Sequence, residues 1–240
     1  MKRKNVCIVL PCYRVKNKIH TVYKKLIKKK FDDLVFVDDN CPEKSVKFLE
    51  SQIKKKNKRT HFIYLKKNVG VGGATLSGFR YAYKKGFKII VKFDSDNQHK
   101  ISDLTKIINT LKKKNVTFCK GYRNLDLKAS INRRMPFLRI VGANALTYIS
   151  KLTTKNYDLK DVTNGLFGMK SSLLNVIDIK NIKKNYFFEQ DLIFRICKKR
   201  IKIFQINSEV IYSDENSSLS ALGSIIPFLT YHIQNFFYKS

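Results

Sequence analysis

The order of the apolar runs constrains this chain most. In its first half, short β-branched runs alternate with stretches whose apolar residues recur at helical spacing. Residues 6–10 read as a strand, followed by Ile19, Val22, Tyr23, Leu26 and Ile27 on one helical face. Residues 34–37 precede a helix around 46–56, 61–65 precede one around 74–84, and 88–93 precede one from about 103 to 113. Residues 116–120 make a fifth strand. Strands alternating with helices over short links predict an α/β fold: a Rossmann-like, mostly parallel sheet flanked by helices. Such sheets bind ligands at the carboxyl ends of their strands.

Those ends are polar here. The first strand runs into Pro11-Cys12-Tyr13, the second into Asp38-Asp39-Asn40, the fourth into Asp94-Ser95-Asp96 and the fifth into Gly121-Tyr122-Arg123. A strand puts residues i and i+2 on one face, so Asp94 and Asp96 present two carboxylates side by side. Bare carboxylates that close repel and raise a pKa unless a cation lies between them. Hard divalent ions take oxygen ligands, commonly one or two carboxylates plus substrate phosphates. The pair therefore points to a metal–diphosphate site. The plainer reading is a polar turn that closes the strand. The glycine run at 68–74 (NVGVGGA) opens the third helix. It fits either a phosphate at a helix start or close packing, and no P-loop spacing accompanies it.

The second half is less regular. A helix is expected over 138–152, a polar start running into a short apolar segment over 161–168, a helix led by Glu189 and Asp191, and a last strand over 201–206. Residues 1–218 are expected to form one catalytic domain. Residues 219–240 place Leu222, Ile225, Ile226, Leu229, Ile233, Phe236 and Phe237 at helical spacing. That amphipathic helix either lies on a membrane surface or packs on the domain itself.

Charge narrows the partners. The formal net charge is +31, and the excess is mostly lysine. Readers of bases and phosphates favour the arginine fork, and acids crowd the strand ends, so specific nucleic-acid binding is not expected. An anionic membrane surface would attract such a chain. The five cysteines (Cys7, Cys12, Cys41, Cys119, Cys197) have neither CxxC nor metal-ligand spacing. With no signal-peptide pattern at the start, they read as reduced residues of a cytoplasmic protein.

Taken together, the segments VLPCYR (9–14), VFVDDN (35–40), NVGVGGA (68–74), FDSDNQH (93–99), GYR (121–123), DVTNGLFG (161–168), YFFEQDLIFRI (186–196) and YSDENSSL (212–219) resemble family 2 glycosyltransferases, especially polyprenyl-phosphate (dolichyl-phosphate) hexosyltransferases. The resemblance spans nearly the whole chain and implies a GT-A fold. It implies a metal-dependent, inverting transfer of a hexose from a nucleoside-diphosphate sugar to a polyprenyl phosphate or a glycan, in cell-envelope glycan synthesis. The enzyme would then sit peripherally on the cytoplasmic face of the membrane.

By the same resemblance, Pro11, Tyr13, Val37 and Asp39 help hold the nucleotide. Asp94 and Asp96 bind Mg²⁺ or Mn²⁺ and the diphosphate, with Ser95 and Gln98 in the same string. Arg123 contacts phosphate. Asp191 lies near the acceptor, as base for a hydroxyl or as orienting group for a phosphate, and Arg133 or Arg134 meets an acceptor phosphate. The chain departs from the family pattern at Val15, where an acid is common, and at Ile211, where a basic residue is common. A basic nucleic-acid-binding module and a catalytically inactive nucleotide-sugar binder are the alternatives to an enzyme.

Overall fold

The computed structural model describes residues 5–31, 33–53, 59–126, 135, 137–210 and 231. Its centre is a seven-stranded sheet in the order β3-β2-β1-β4-β6-β5-β7. The strands are β1 (Val6–Cys12), β2 (Leu34–Asp38), β3 (Thr60–Tyr64), β4 (Ile89–Lys92), β5 (Phe118–Tyr122), β6 (Phe167–Lys170) and β7 (Ile203–Asn207). The helices are α1 (Lys16–Lys28), α2 (Ser45–Gln52), α3 (Gly70–Lys84), α4 (Ile101–Leu111), α5 (Phe137–Thr154) and α6 (Phe188–Lys198), with a 3₁₀ turn at Ser171–Asn175. The expected α/β architecture is what forms.

The alternation of side chains along the strands explains the two cores. Cys7, Val9, Val35, Val37 and Ile90 face α3 and α6 in one cluster. Ile8, Leu10, Leu34, Phe36 and Val91 face α1, α2 and α4 in the other. Strands buried on both faces read as continuous apolar runs, which is how β1 and β2 appear in the sequence. All five cysteines are free, four of them buried. Among the described residues no helix is long and apolar enough to cross a membrane.

The fifth strand does not pair with β4 directly. β6 lies between them and pairs antiparallel with both, while β5 and β7 are parallel. β6 has four residues and a central glycine, too short a run to carry a strand period. Its direction matters, because an antiparallel strand enters from the edge where its neighbours end. Residues 161–166, which lead into β6, are therefore delivered to the carboxyl edge.

Of the segment 219–240, Tyr231 alone is described. It is buried, stacks on Phe187 and donates its hydroxyl hydrogen to Asp191 Oδ1 at 2.9 Å.

Candidate functional site

Turns that lock the strand ends to one another build the site. At the end of β4, the Ser95 hydroxyl donates to the Pro11 carbonyl at the end of β1 (2.6 Å). The Asp39 amide donates to the Cys12 carbonyl (3.1 Å), and Asp39 Oδ1 accepts from the Val69 amide (2.7 Å). Asp39 thus ties β1, β2 and the start of α3 together. Burial pushes its carboxyl above the ordinary range, against the Val69 and Gly70 amides, which favour the charge. Tyr13 is 41% exposed beside this edge, with the Arg14 guanidinium 5.5 Å from its ring centre. Pro11 is buried at the end of β1. Val37 is wholly buried in the α3-facing core, so its side chain serves packing.

The glycine run closes on protein. The Gly73 amide donates to the Lys184 carbonyl (3.1 Å). A side chain on Gly72 would put its Cβ 2.5 Å from that of Phe188. Close packing against Phe188 and the Lys184 segment accounts for Gly72 and Gly73.

Asp94 and Asp96 occupy the turn after β4. Both oxygens of Asp94 are engaged: Oδ1 accepts from Lys92 Nζ (2.6 Å) and Oδ2 from His99 Nε2 (3.2 Å). Burial would raise the Asp94 carboxyl, but the Lys92 ammonium and His99 hold it well below the usual carboxylate range. Asp96 is the contrasting member. Its Oδ1 accepts the Gln98 amide (3.0 Å), and burial and then the Asp94 charge push its carboxyl up. An acid destabilised in this way is relieved by a cation. No group of three or more His, Cys, Asp or Glu side chains forms a closed metal cage among the described residues. The donor set fits a hard ion that completes its shell with diphosphate oxygens.

Lys92 lies 1% exposed in β4, and its ammonium also reaches the Gly165 carbonyl (3.1 Å) and Glu189 Oε1 (3.2 Å). Burial alone would lower it, but Asp94 and Glu189 together hold it above its ordinary value.

Asp161, delivered by β6, anchors the next strand end. It is almost wholly buried and accepts from Arg123 Nε (2.8 Å), Arg123 Nη2 (3.2 Å) and the Arg123 amide (3.0 Å). Arg123 also donates to Thr163 Oγ1. Lys120 Nζ donates to the Asp161 carbonyl. Burial pushes that lysine down to about 8, with Asp161 opposing and Arg123 assisting the shift.

Asp191, in the first turn of α6, is buried. Its Oδ2 accepts the Lys183 amide (2.7 Å), while Oδ1 accepts Arg195 Nε (2.9 Å) and the Tyr231 hydroxyl. Glu189, two residues earlier, is the acid that faces Lys92 and, across it, Asp94. Arg133 and Arg134 lie outside the described residues.

Pro11, Asp39, Asp94, Ser95, Asp96 and Arg123 therefore gather at one edge. Lys92, Asp161 and Glu189 join them, three residues to which the strand-end pattern assigns no part. Lys92 carries a signal of its own: it is a charge inside an apolar strand run, two residues before Asp94 and so on the same face. Asp161 and Glu189 stand in segments that carry the resemblance (161–168 and 186–196), but nothing in their local pattern gives them a role of their own.

Against known proteins, residues 7–177 match the family model "Glycosyl transferase family 2". The chain is 28% identical over 225 residues to the UDP-N-acetylglucosamine–dolichyl-phosphate N-acetylglucosaminyltransferase of Methanococcus voltae, covering 89% of this chain and 88% of that one. It is 23% identical to the undecaprenyl-phosphate mannosyltransferase of Micrococcus luteus, over 72% and 70% of the two chains. Among solved structures, glucosyl-3-phosphoglycerate synthase from Mycobacterium tuberculosis with UDP superposes with a TM-score of 0.72 at 14% identity, over 99% of this chain and 82% of that one. The same enzyme with Mn²⁺, UDP and phosphoglyceric acid superposes at 0.69, over 99% and 80%. These likenesses establish the GT-A fold.

Proposed function

The chain belongs to glycosyl transferase family 2 and is a glycosyltransferase, and from that premise we propose that it moves a hexose from a nucleoside-diphosphate sugar to a polyprenyl phosphate, with inversion and with a divalent metal. The observation that carries this reading is the gathering of Asp39, Asp94, Asp96 and Arg123 at one strand edge. The relatives named for dolichyl- and undecaprenyl-phosphate support the acceptor class.

The hard step is departure of the nucleoside diphosphate from the anomeric carbon, which leaves charge on the diphosphate. A divalent metal, when bound, supplies positive charge for that group. Asp96, with Asp94 beside it, would hold the metal. Arg123, fixed in direction by Asp161, keeps a second positive charge at the edge without reorganising during the reaction. Asp39 accepts hydrogen bonds from the nucleoside, and Tyr13 offers a ring against which the base stacks. An acceptor phosphate is already ionised and needs no base. A hydroxyl acceptor would need one, and Glu189 is the acid turned toward Asp94. Asp191, with both oxygens committed, orients α6 and so aims Glu189.

A peripheral position on a membrane surface has its own support. Phe137, Val141, Tyr148 and Leu152 form an exposed stripe along α5. Arg139, Lys151 and Lys155 lie on or just after that helix, and residues 137–157 contain no acid. An apolar stripe with basic flanks complements an anionic bilayer.

The test is a panel of UDP-, GDP- and dTDP-sugars with Mn²⁺, with and without polyprenyl phosphate, reading release of nucleoside diphosphate. Release that depends on the lipid phosphate with one donor is expected, together with near-complete loss in Asp96→Asn. No lipid-dependent release with any donor overturns the acceptor. Full activity in Asp96→Asn overturns the metal site.

A further inference from the structure

An ammonium group has three hydrogens to donate, and Lys92 Nζ has three oxygens within reach, two as hydrogen-bond acceptors and one as an ion-pair partner. Asp94 Oδ1 lies at 2.6 Å, the Gly165 carbonyl at 3.1 Å and Glu189 Oε1 at 3.2 Å. The side chain is closed off from solvent, so it cannot reach a ligand. Its partner Asp94 has its other oxygen on His99. Among the described residues, Asp96 Oδ2 has no donor, its Oδ1 alone being engaged by Gln98. The chain is shaped around this contact: a Cβ on Gly165 would fall 2.6 Å from Asp94 Oδ2 and 2.8 Å from Lys92 Nζ.

We infer that Lys92 is a positioning residue: it holds Asp94 as an internal counter-ion and clamps Glu189 beside it, so that Asp96 is the carboxylate presented to a divalent cation. The inference rests on the metal-dependent reading above. Two like-charged acids, Asp94 and Glu189, can lie at one edge because the same ammonium bridges them. The bridge also fastens the first turn of α6 to the end of β4.

The consequences have opposite signs. Neutralising Lys92 frees an oxygen of Asp94 and adds a net negative charge beside Asp96, so a divalent cation binds more tightly. It also releases the first turn of α6 from the end of β4, which loosens the edge that holds the diphosphate, so turnover falls. A lysine that only supports the fold would lower both.

The experiment titrates the full chain with Mn²⁺, alone and with UDP but without sugar donor, and reads free Mn²⁺ by electron paramagnetic resonance. Lys92→Met is expected to tighten the Mn²⁺ Kd by roughly tenfold or more while kcat falls. The added change Asp94→Asn is expected to return Kd toward the native value. Unchanged or weaker Mn²⁺ binding by folded Lys92→Met overturns the inference. If that variant does not fold, the native background decides. There Asp94→Asn is expected to weaken Mn²⁺ by about tenfold and Asp96→Asn by about a hundredfold or more; equal losses overturn the inference. A native chain that binds no Mn²⁺ overturns the metal reading itself, a result distinct from unequal or equal behaviour of the variants.

Discussion

Asp161→Asn probes the brace that holds Arg123. Asp161 is 1% exposed and sits against two cations, Arg123 through a two-point fork and Lys120 through its backbone carbonyl. Asparagine keeps the shape and one acceptor but removes the Asp161 charge that faces a mostly buried guanidinium. Breaking one partner of a buried pair costs about 3–5 kcal/mol. For a chain of this size that lowers Tm by about 6–20 °C. Urea unfolding followed by circular dichroism measures it.

The pH dependence has a definite sign. Burial would raise the Asp161 carboxyl, but Arg123 and Lys120 depress it below the usual carboxylate range. Its stabilisation is therefore complete above the unfolded value of about 3.9 and is lost as pH falls through the depressed folded value. The loss in Asp161→Asn should be full at neutral pH and shrink below about pH 4. A second change, Arg123→Met, removes the cation whose charge Asp161 balanced and should recover part of the stability. A loss under about 1 kcal/mol, or no recovery in the double variant, refutes the buried-pair argument.

Three further outcomes follow from other contacts. Gly72→Ala drives a methyl into Phe188 and should destabilise by about 1–3 kcal/mol in urea, with α6 displaced and turnover reduced. Asp39→Ala leaves the Val69 amide without its acceptor; it should cost about 1–3 kcal/mol and weaken nucleoside-diphosphate binding measured by calorimetry. Tyr148→Ser with Leu152→Ser, both exposed on α5, should leave Tm within about 1 °C while reducing sedimentation with anionic vesicles severalfold. Unchanged sedimentation would remove α5 from the membrane-facing surface.

The sequence by itself determined the alternation of strands and helices, because burial on both faces demands continuous apolar strands between amphipathic helices. It also determined which residues the parallel strand ends carry, since the carboxyl edge follows from strand direction alone. For that reason Pro11, Asp39, Asp94, Asp96 and Arg123 are legible as neighbours in the amino-acid order itself.

The tertiary structure decided the rest. A four-residue strand with a central glycine has no period to read, so only pairing with β4 and β5 places β6 between them and brings Asp161 to Arg123. The partners of Lys92 lie 2, 73 and 97 positions away along the chain. Nothing local distinguishes Glu189, turned toward Asp94, from Asp191, whose oxygens are consumed by Lys183, Arg195 and Tyr231. Charges that distant find one another only once the sheet order is settled, and low-dielectric burial then makes their pairing decisive.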